Sequence, residues 1–165
     1  MLDSILKSPH IWQGQQHGQS PCLSTGFKAL DQALPYGGWS LNGINEIISE
    51  PGYGEVSLLI PAIKQLQETA IMACLAPPFN LHAPYLEAQD INLQRLLCVE
   101  TKQTNQQWAA EQILKNNAIK GLLYWPSKTL SFTAYRRLQI ISNEQECPIF
   151  MFLKRAPHNS PCSIR

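Results

Sequence analysis

The segment from residue 44 to residue 68 sets an apolar strand, a glycine-bearing loop and the start of an apolar helix in direct succession. The loop contains two glycines, Gly52 and Gly54, which favour tight turns of the backbone. In a parallel α/β domain such a loop lies at the carboxyl end of a strand. Its N–H groups and the N-terminus of the next helix then form a site suited to anions. The succession predicts an α/β domain with a loop of the phosphate-binding type.

The loop lacks the side chains that phosphate chemistry requires. In the pattern G-x-x-x-x-G-K-[ST], the lysine neutralises the terminal phosphates and the hydroxyl reaches magnesium. The last two of these positions are Glu55 and Val56, a carboxylate that repels polyphosphate and a side chain without an oxygen. We interpret Glu55 as a solvated carboxylate that is favourable at a helix N-terminus. The degenerate nucleotide loop, which we do not expect to bind ATP, comprises Ser49, Gly52, Gly54, Glu55 and Val56.

The rest of the chain alternates short apolar runs with segments of helical periodicity. This pattern is typical of a mostly parallel sheet with helices on both faces. Pro61 falls inside the first predicted helix and should kink it or shift its first turn. Trp39, Trp108 and Trp125 are expected to be packing residues of the core or of the sheet ends. The predicted strands are 44–48, 70–76, 95–99, 119–125 and 148–153, and the predicted helices are 56–68, 82–89, 105–117 and 129–143.

A motif of the form S-T-G-x-x-x-L-D-x-x-L-x-x-G-G runs from Ser24 to Gly38, upstream of the strand that contains Glu46 and Ile47. This stretch resembles the RecA family and implies a RecA-like P-loop core. RecA-like enzymes place a water-activating glutamate after the second strand and a magnesium-holding aspartate at the end of a later strand. By the resemblance, Pro78 and Trp125 stand at those two acid positions. We therefore expect no enzymatic activity and no cofactor.

Two bacterial families related to RecA combine this domain with a lost active site. The chain resembles the ImuA-type family over most of its length, in I-W-x-G from Ile11, G-x-G-E-x-S-L-L-x-P-A from Gly52 and R-R-L-Q from Arg136. That resemblance implies a non-catalytic adaptor of the bacterial SOS response, in the translesion DNA synthesis machinery. Its partners would be translesion polymerase components or RecA.

The alternative is the SulA-type cell division inhibitor, which blocks polymerisation of the tubulin-like protein FtsZ. That family shares a shorter region, from about residue 44 to about residue 153, and a length of 165 residues suits it better. A second alternative is a residual nucleotide-binding ATPase. Partner capture would separate the first two hypotheses, and ATP binding would support the third.

Composition narrows the classes of partner. The chain has 13 basic and 12 acidic residues, a formal net charge of +1, so we expect no direct binding to nucleic acid. No apolar run is long enough to cross a membrane. The five cysteines form no C-x-x-C pair, from which we expect reduced thiols, no metal site and a cytoplasmic location.

We divide the chain into a flexible arm over residues 1–22, with a glutamine-rich tract, and a RecA-like α/β domain over residues 23–165. Compared with RecA-like cores the domain is short at its C-terminus, and its last six residues look like the start of another extended segment. The candidate partner surface consists of Trp12 on the arm and Tyr135, Arg136 and Arg137 on the last predicted helix.

Overall fold

The computed structural model describes residues 21–157 and Ile164. A small N-terminal unit precedes the main sheet and contains β1 (Cys22–Leu23), α1 (Lys28–Ala33) and β2 (Trp39–Ser40). The main part follows in the order β3 (Ile44–Ile48), α2 (Glu55–Gln67), β4 (Ile71–Leu75), α3 (Ala83–Ala88), β5 (Leu96–Val99), α4 (Gln106–Leu114), β6 (Ile119–Tyr124), α5 (Phe132–Gln145) and β7 (Ile149–Leu153). Turns of 3-10 helix lie at Leu93–Arg95 and Gln103–Asn105.

The main sheet has five strands in the order β3-β7-β6-β4-β5, and every neighbouring pair is parallel. The first and last of these strands in sequence are neighbours, with Ile44 opposite Ile149. On the other side of β3, Ile164 forms a parallel bridge with Asn45, and its carbonyl accepts the Glu46 N–H at 2.8 Å. Of the extended segment expected over the last six residues, the structure describes Ile164, which makes this bridge. The α/β class with a parallel sheet is confirmed.

Alternate residues of each strand face opposite sides of the sheet, as the two-residue period of a strand requires. One side, with Leu75, Tyr124 and Met151, packs against α4 and α5. The other side, with Met72, Leu123 and Phe150, packs against α2, α3 and the N-terminal unit. Both faces are therefore covered by helices, which explains why the strands are almost uniformly apolar.

The predicted elements match the observed ones to within a few residues. The last helix begins at Phe132 rather than at 129, because Ser131 caps it by accepting the Ala134 N–H at 3.2 Å. It ends where Glu146 adopts a left-handed conformation with φ 49°. Pro61 lies within α2, which continues to Gln67.

The Ser24–Gly38 motif is a structural device that holds the N-terminal unit on the sheet. Asp31 accepts the Thr25 N–H and the Ser24 hydroxyl, both at 2.8 Å. Gly26 lies against Pro61 so closely that a Cβ at this position would stand 2.6 Å from the proline ring. Because Gly26 has no side chain, the motif can pack directly against the proline of α2.

The N-terminal unit also packs through its aromatic residue. Trp39 pairs with Leu23 across the two short antiparallel strands and meets Phe150 edge-to-face, with ring centroids 5.8 Å apart. Trp39 is therefore a core residue, as predicted. Cys22, which we assigned to the flexible arm, belongs to β1 and pairs with Ser40 of β2.

Candidate functional site

The loop between β3 and α2 has the backbone shape that the sequence predicts. Ser49 at its start donates its N–H to the Leu153 carbonyl at 3.0 Å, which ties the loop to β7. Gly52 and Gly54 have φ 88° and 89°, a left-handed conformation that favours glycine. Gly54 is the residue before the first turn of α2. The loop therefore brings its N–H groups to the start of a helix, as an anion site requires.

The carboxylate of Glu55 turns back onto this loop. It is the first residue of α2, and its two oxygens accept the Gly52 N–H at 3.0 and 3.1 Å. Only 8% of the residue is exposed, so our interpretation of Glu55 as a solvated residue is wrong. The side chain bends back into the loop because the N–H and the positive end of the helix dipole both attract a negative charge.

The neighbouring positions offer a metal-bound nucleotide nothing. Val56, the second residue of α2, is partly buried and packs against the core. Pro78, after β4, and Trp125, after β6, stand where the resemblance implies two acids. Among the described residues no group of three or more His, Cys, Asp or Glu side chains is placed to hold a metal ion.

Trp125 forms part of an aromatic wall at the carboxyl end of the sheet. Its indole stacks on Phe152 with ring centroids 4.3 Å apart and an interplanar angle of 14°. The residue is 7% exposed, and within residues 21–157 its indole N–H and the Ser49 hydroxyl have no hydrogen-bond partner. Trp125 is therefore a packing residue, as predicted, with an unused donor.

These groups line a cleft of about 1000 Å³ at the carboxyl ends of the strands. The degenerate loop forms one wall, and the segments after β4, β6 and β7 form the others. The lining is largely apolar and aromatic, with three cations at its rim, Lys128, Lys154 and Arg155. Lys154 lies 3.9 Å from Glu50, an exposed pair that contributes little to stability.

The candidate partner surface is only partly as predicted. Tyr135 is 2% exposed and lines the cleft, so its assignment to a partner surface is wrong. It points inward because the buried stripe of α5 runs through Ala134, Tyr135, Leu138 and Ser142. Arg136 is exposed. Trp12 lies outside the described residues.

Arg137 has a partner within the chain. Its guanidinium donates to a carboxylate oxygen of Glu111 on α4 at 3.2 Å. The Glu111 side chain is only 9% exposed, so Arg137 neutralises an almost buried charge. Arg137 therefore contributes to helix packing, which the sequence did not predict.

Trp108 is exposed, contrary to our prediction that it packs inward. It is 65% exposed on α4, because Ala109, Ala110, Ile113 and Leu114 provide the face of that helix that contacts the sheet. Sequence reasoning missed this exposed tryptophan, which lies one helical turn before Glu111, the partner of Arg137. The spacing of apolar residues in α4 does not by itself decide whether Trp108 belongs to the buried face of the helix or to its exposed face.

The fold and the site together define a class of protein, an α/β domain with a parallel sheet in which the glycine-bearing loop after β3 is held by the carboxylate of Glu55. No model of a known protein family matches the sequence, and no curated protein sequence matches it. Among solved structures, the chain is similar to that of SulA from Pseudomonas aeruginosa, with a TM-score of 0.55 and 19% sequence identity. The likeness covers 67% of this chain and 96% of the SulA chain. In the described part of the chain, no helix is long and apolar enough to cross a membrane.

Proposed function

We propose that this chain is a non-catalytic, SulA-type inhibitor that binds FtsZ and blocks its polymerisation. The observation that carries the non-catalytic part is the Glu55 carboxylate on the Gly52 N–H, which fills the place of a phosphate. The likeness to SulA over 96% of that chain supports the division-inhibitor alternative better than the translesion adaptor. A fold without its catalytic groups is most simply explained as a binding module.

The geometry also argues against the residual ATPase. A polyphosphate would have to displace the Glu55 carboxylate and then remain beside it, where like charges repel. Neither Val56 nor Trp125 offers an oxygen that would attract magnesium to the site.

The partner surface that we propose lies on the outer sides of two contacting helices, and we call it the α4–α5 face. It consists of Trp108 on α4 and Arg136, Arg137 and Ile140 on α5. Trp108 and Ile140 are 65% and 47% exposed. Tryptophan and arginine are the residues that most often dominate the energy of protein interfaces.

The test is polymerisation of purified FtsZ with GTP, followed by light scattering and by sedimentation. Stoichiometric amounts of the chain should reduce both signals. The variant Trp108→Ala should lose most of this effect, whereas Lys28→Glu, an exposed change on α1, should retain it. Unchanged FtsZ polymer at a several-fold excess of the chain would exclude the division-inhibitor function.

The second candidate is the ImuA-type adaptor of the translesion DNA synthesis machinery. The specific observation that favours it is the N-terminal motif, because the SulA type usually lacks the Thr-Gly pair found at Thr25 and Gly26. This candidate predicts that the chain captures an inactive Y-family polymerase homologue, and that FtsZ is left unaffected. Binding measured with purified components of both systems would separate the two functions.

A further inference from the structure

Two cysteines far apart in sequence are side by side in the sheet. Cys74 on β4 and Cys98 on β5 are direct partners in the parallel register. Neighbouring strands lie about 4.8 Å apart, which is within the Cα separation that a disulfide spans. Parallel partners also project to the same face of the sheet, so the two thiols meet.

The two thiols differ sharply in their surroundings. Cys74 is fully buried among the apolar side chains on the α2 side of the sheet. Cys98 lies on the edge strand β5 and is exposed. One thiol is therefore open to a solute, and the other is sheltered directly behind it.

The proximity of the two thiols sets their acidities apart. Cys74, as a hydrogen-bond donor, lowers the pKa of Cys98 to about 7 against the opposing effects of partial burial and of Glu100. The same interaction and full burial raise the pKa of Cys74. Cys98 is thus the more acidic thiol of the pair. Oxidant-sensitive cysteines are commonly exposed thiolates with a second thiol close by.

We propose that Cys98 is a site of modification by hydrogen peroxide and that Cys74 resolves the product into a β4–β5 disulfide. The Cys98 thiolate attacks one peroxide oxygen, the O–O bond breaks, and hydroxide leaves, giving a sulfenic acid. Cys74 then attacks that sulfur, the S–O bond breaks, and the thiol proton and the hydroxyl depart as water. The sulfurs lose two electrons in all, and the peroxide gains them.

The test uses the full, reduced chain, treated with hydrogen peroxide at neutral pH and sampled into a thiol-blocking reagent. Peptide mass spectrometry should find the Cys74–Cys98 disulfide as the first product. Cys98 should react roughly tenfold faster than Cys22, the other exposed thiol among the described residues, since the lowered pKa of Cys98 leaves more of it as thiolate at this pH. The control variant Cys22→Ser should give the same product at the same rate.

The variant Cys74→Ala provides a second measurement. Without Cys74 the pKa of Cys98 should rise, so the Cys98 sulfenic acid should form more slowly than in the wild type. Once formed, it should persist and be captured by dimedone, which reacts with that group. Equal oxidation of Cys22 and Cys98 in the wild-type chain would overturn the proposal. So would a product dominated by Cys98–Cys98 links between chains, or a Cys74→Ala variant that yields no dimedone adduct.

Discussion

Glu55 shows how a single residue type can both remove a site and stabilise the loop that formed it. In a working phosphate loop the backbone N–H groups wait for the ligand, and a lysine shares the charge. Here the Gly52 N–H already has an acceptor within the same turn. The Gly52 N–H is thus satisfied within the loop, as we expect for a loop that does not bind nucleotide.

We expect wild-type protein to show no ATP binding, with or without magnesium, in calorimetric titration. The variant Glu55→Lys should recover weak binding of ATP, because it frees the Gly52 N–H and reverses the charge at the helix N-terminus. Glu50→Lys is the matched control, since Glu50 is an exposed residue of the same loop, and it should bind no ATP. Micromolar, magnesium-dependent binding by the wild type would contradict this account.

Asp31 gives a pH-dependent contribution to stability. Hydrogen bonds from the side chain and backbone of Thr25, and then from Ser24, lower the pKa of its carboxyl from 3.8. A group with a lowered folded-state pKa stabilises the fold above its unfolded value and loses that effect as the pH falls through the folded value. The contribution of Asp31 should therefore be complete at neutral pH and decline below about pH 4.

Urea unfolding of Asp31→Asn at pH 7 and at pH 3 measures this contribution. The variant should be less stable than wild type at pH 7, and the gap should narrow at pH 3. Glu144→Gln, an exposed change on α5, should show no such gap at either pH. A gap for Asp31→Asn that is equal at the two pH values would mean that the charge of Asp31 is not involved.

At the scale of elements, Ser142 is the residue that fastens α5 to the strands at its C-terminal end. Its hydroxyl accepts the Gly43 N–H at 2.8 Å and donates to the Cys147 carbonyl at 2.6 Å. The residue is fully buried. One hydroxyl thus satisfies polar backbone groups at the starts of both β3 and β7.

Ser142→Ala should lower the free energy of unfolding by about 1–3 kcal/mol, because it leaves buried backbone groups without a partner. Thr133→Ala, an exposed change on the same helix, should stay within about 0.5 kcal/mol of wild type. Chemical denaturation of both variants gives the comparison. A loss below about 0.5 kcal/mol for Ser142→Ala would show that water replaces the hydroxyl.

The elements themselves were predictable because their signal is local. Buried parallel strands are continuous apolar runs, and all five predicted strands of the main sheet are present within two residues. The direction of single side chains was less predictable. Trp108 is exposed and Tyr135 is buried, the reverse of what we expected. Periodicity identifies a buried stripe only when several residues define it.

The degenerate site was predictable as far as its residue types. Glu55, Val56, Pro78 and Trp125 all stand in or beside the expected cleft. The bond from Gly52 to Glu55 depends on loop conformation, and the contact between Cys74 and Cys98 depends on strand order. Neither contact can be predicted from the spacing of residues in the sequence, because both depend on the folded conformation.

At the scale of the whole molecule, the proposed function requires that substitutions on the α4–α5 face weaken partner binding without destabilising the fold. Arg136 and Trp108 are suitable probes because both are exposed. Arg137 is not, since reversing its charge would set two carboxylates together at the nearly buried Glu111.

The double variant Trp108→Ala and Arg136→Glu should weaken binding to FtsZ by about 2 kcal/mol or more if these side chains are central to the interface. Its free energy of unfolding should differ from wild type by no more than about 1 kcal/mol, twice the usual limit for one surface change. Fluorescence anisotropy with labelled FtsZ, beside thermal unfolding, measures both. Undiminished binding would place the partner surface elsewhere.

The order of strands also governs how the molecule comes into being. β7 lies between β3 and β6. The strand of the main sheet that comes last in sequence therefore separates β3, the first strand of that sheet, from the other three. During synthesis β3 has no neighbour in the main sheet until residues 149–153 have left the ribosome. Contacts between segments so distant in sequence form slowly and leave an apolar strand edge open in the meantime. A nascent chain of this protein would thus be a target for chaperones and proteases until β7 has joined the sheet.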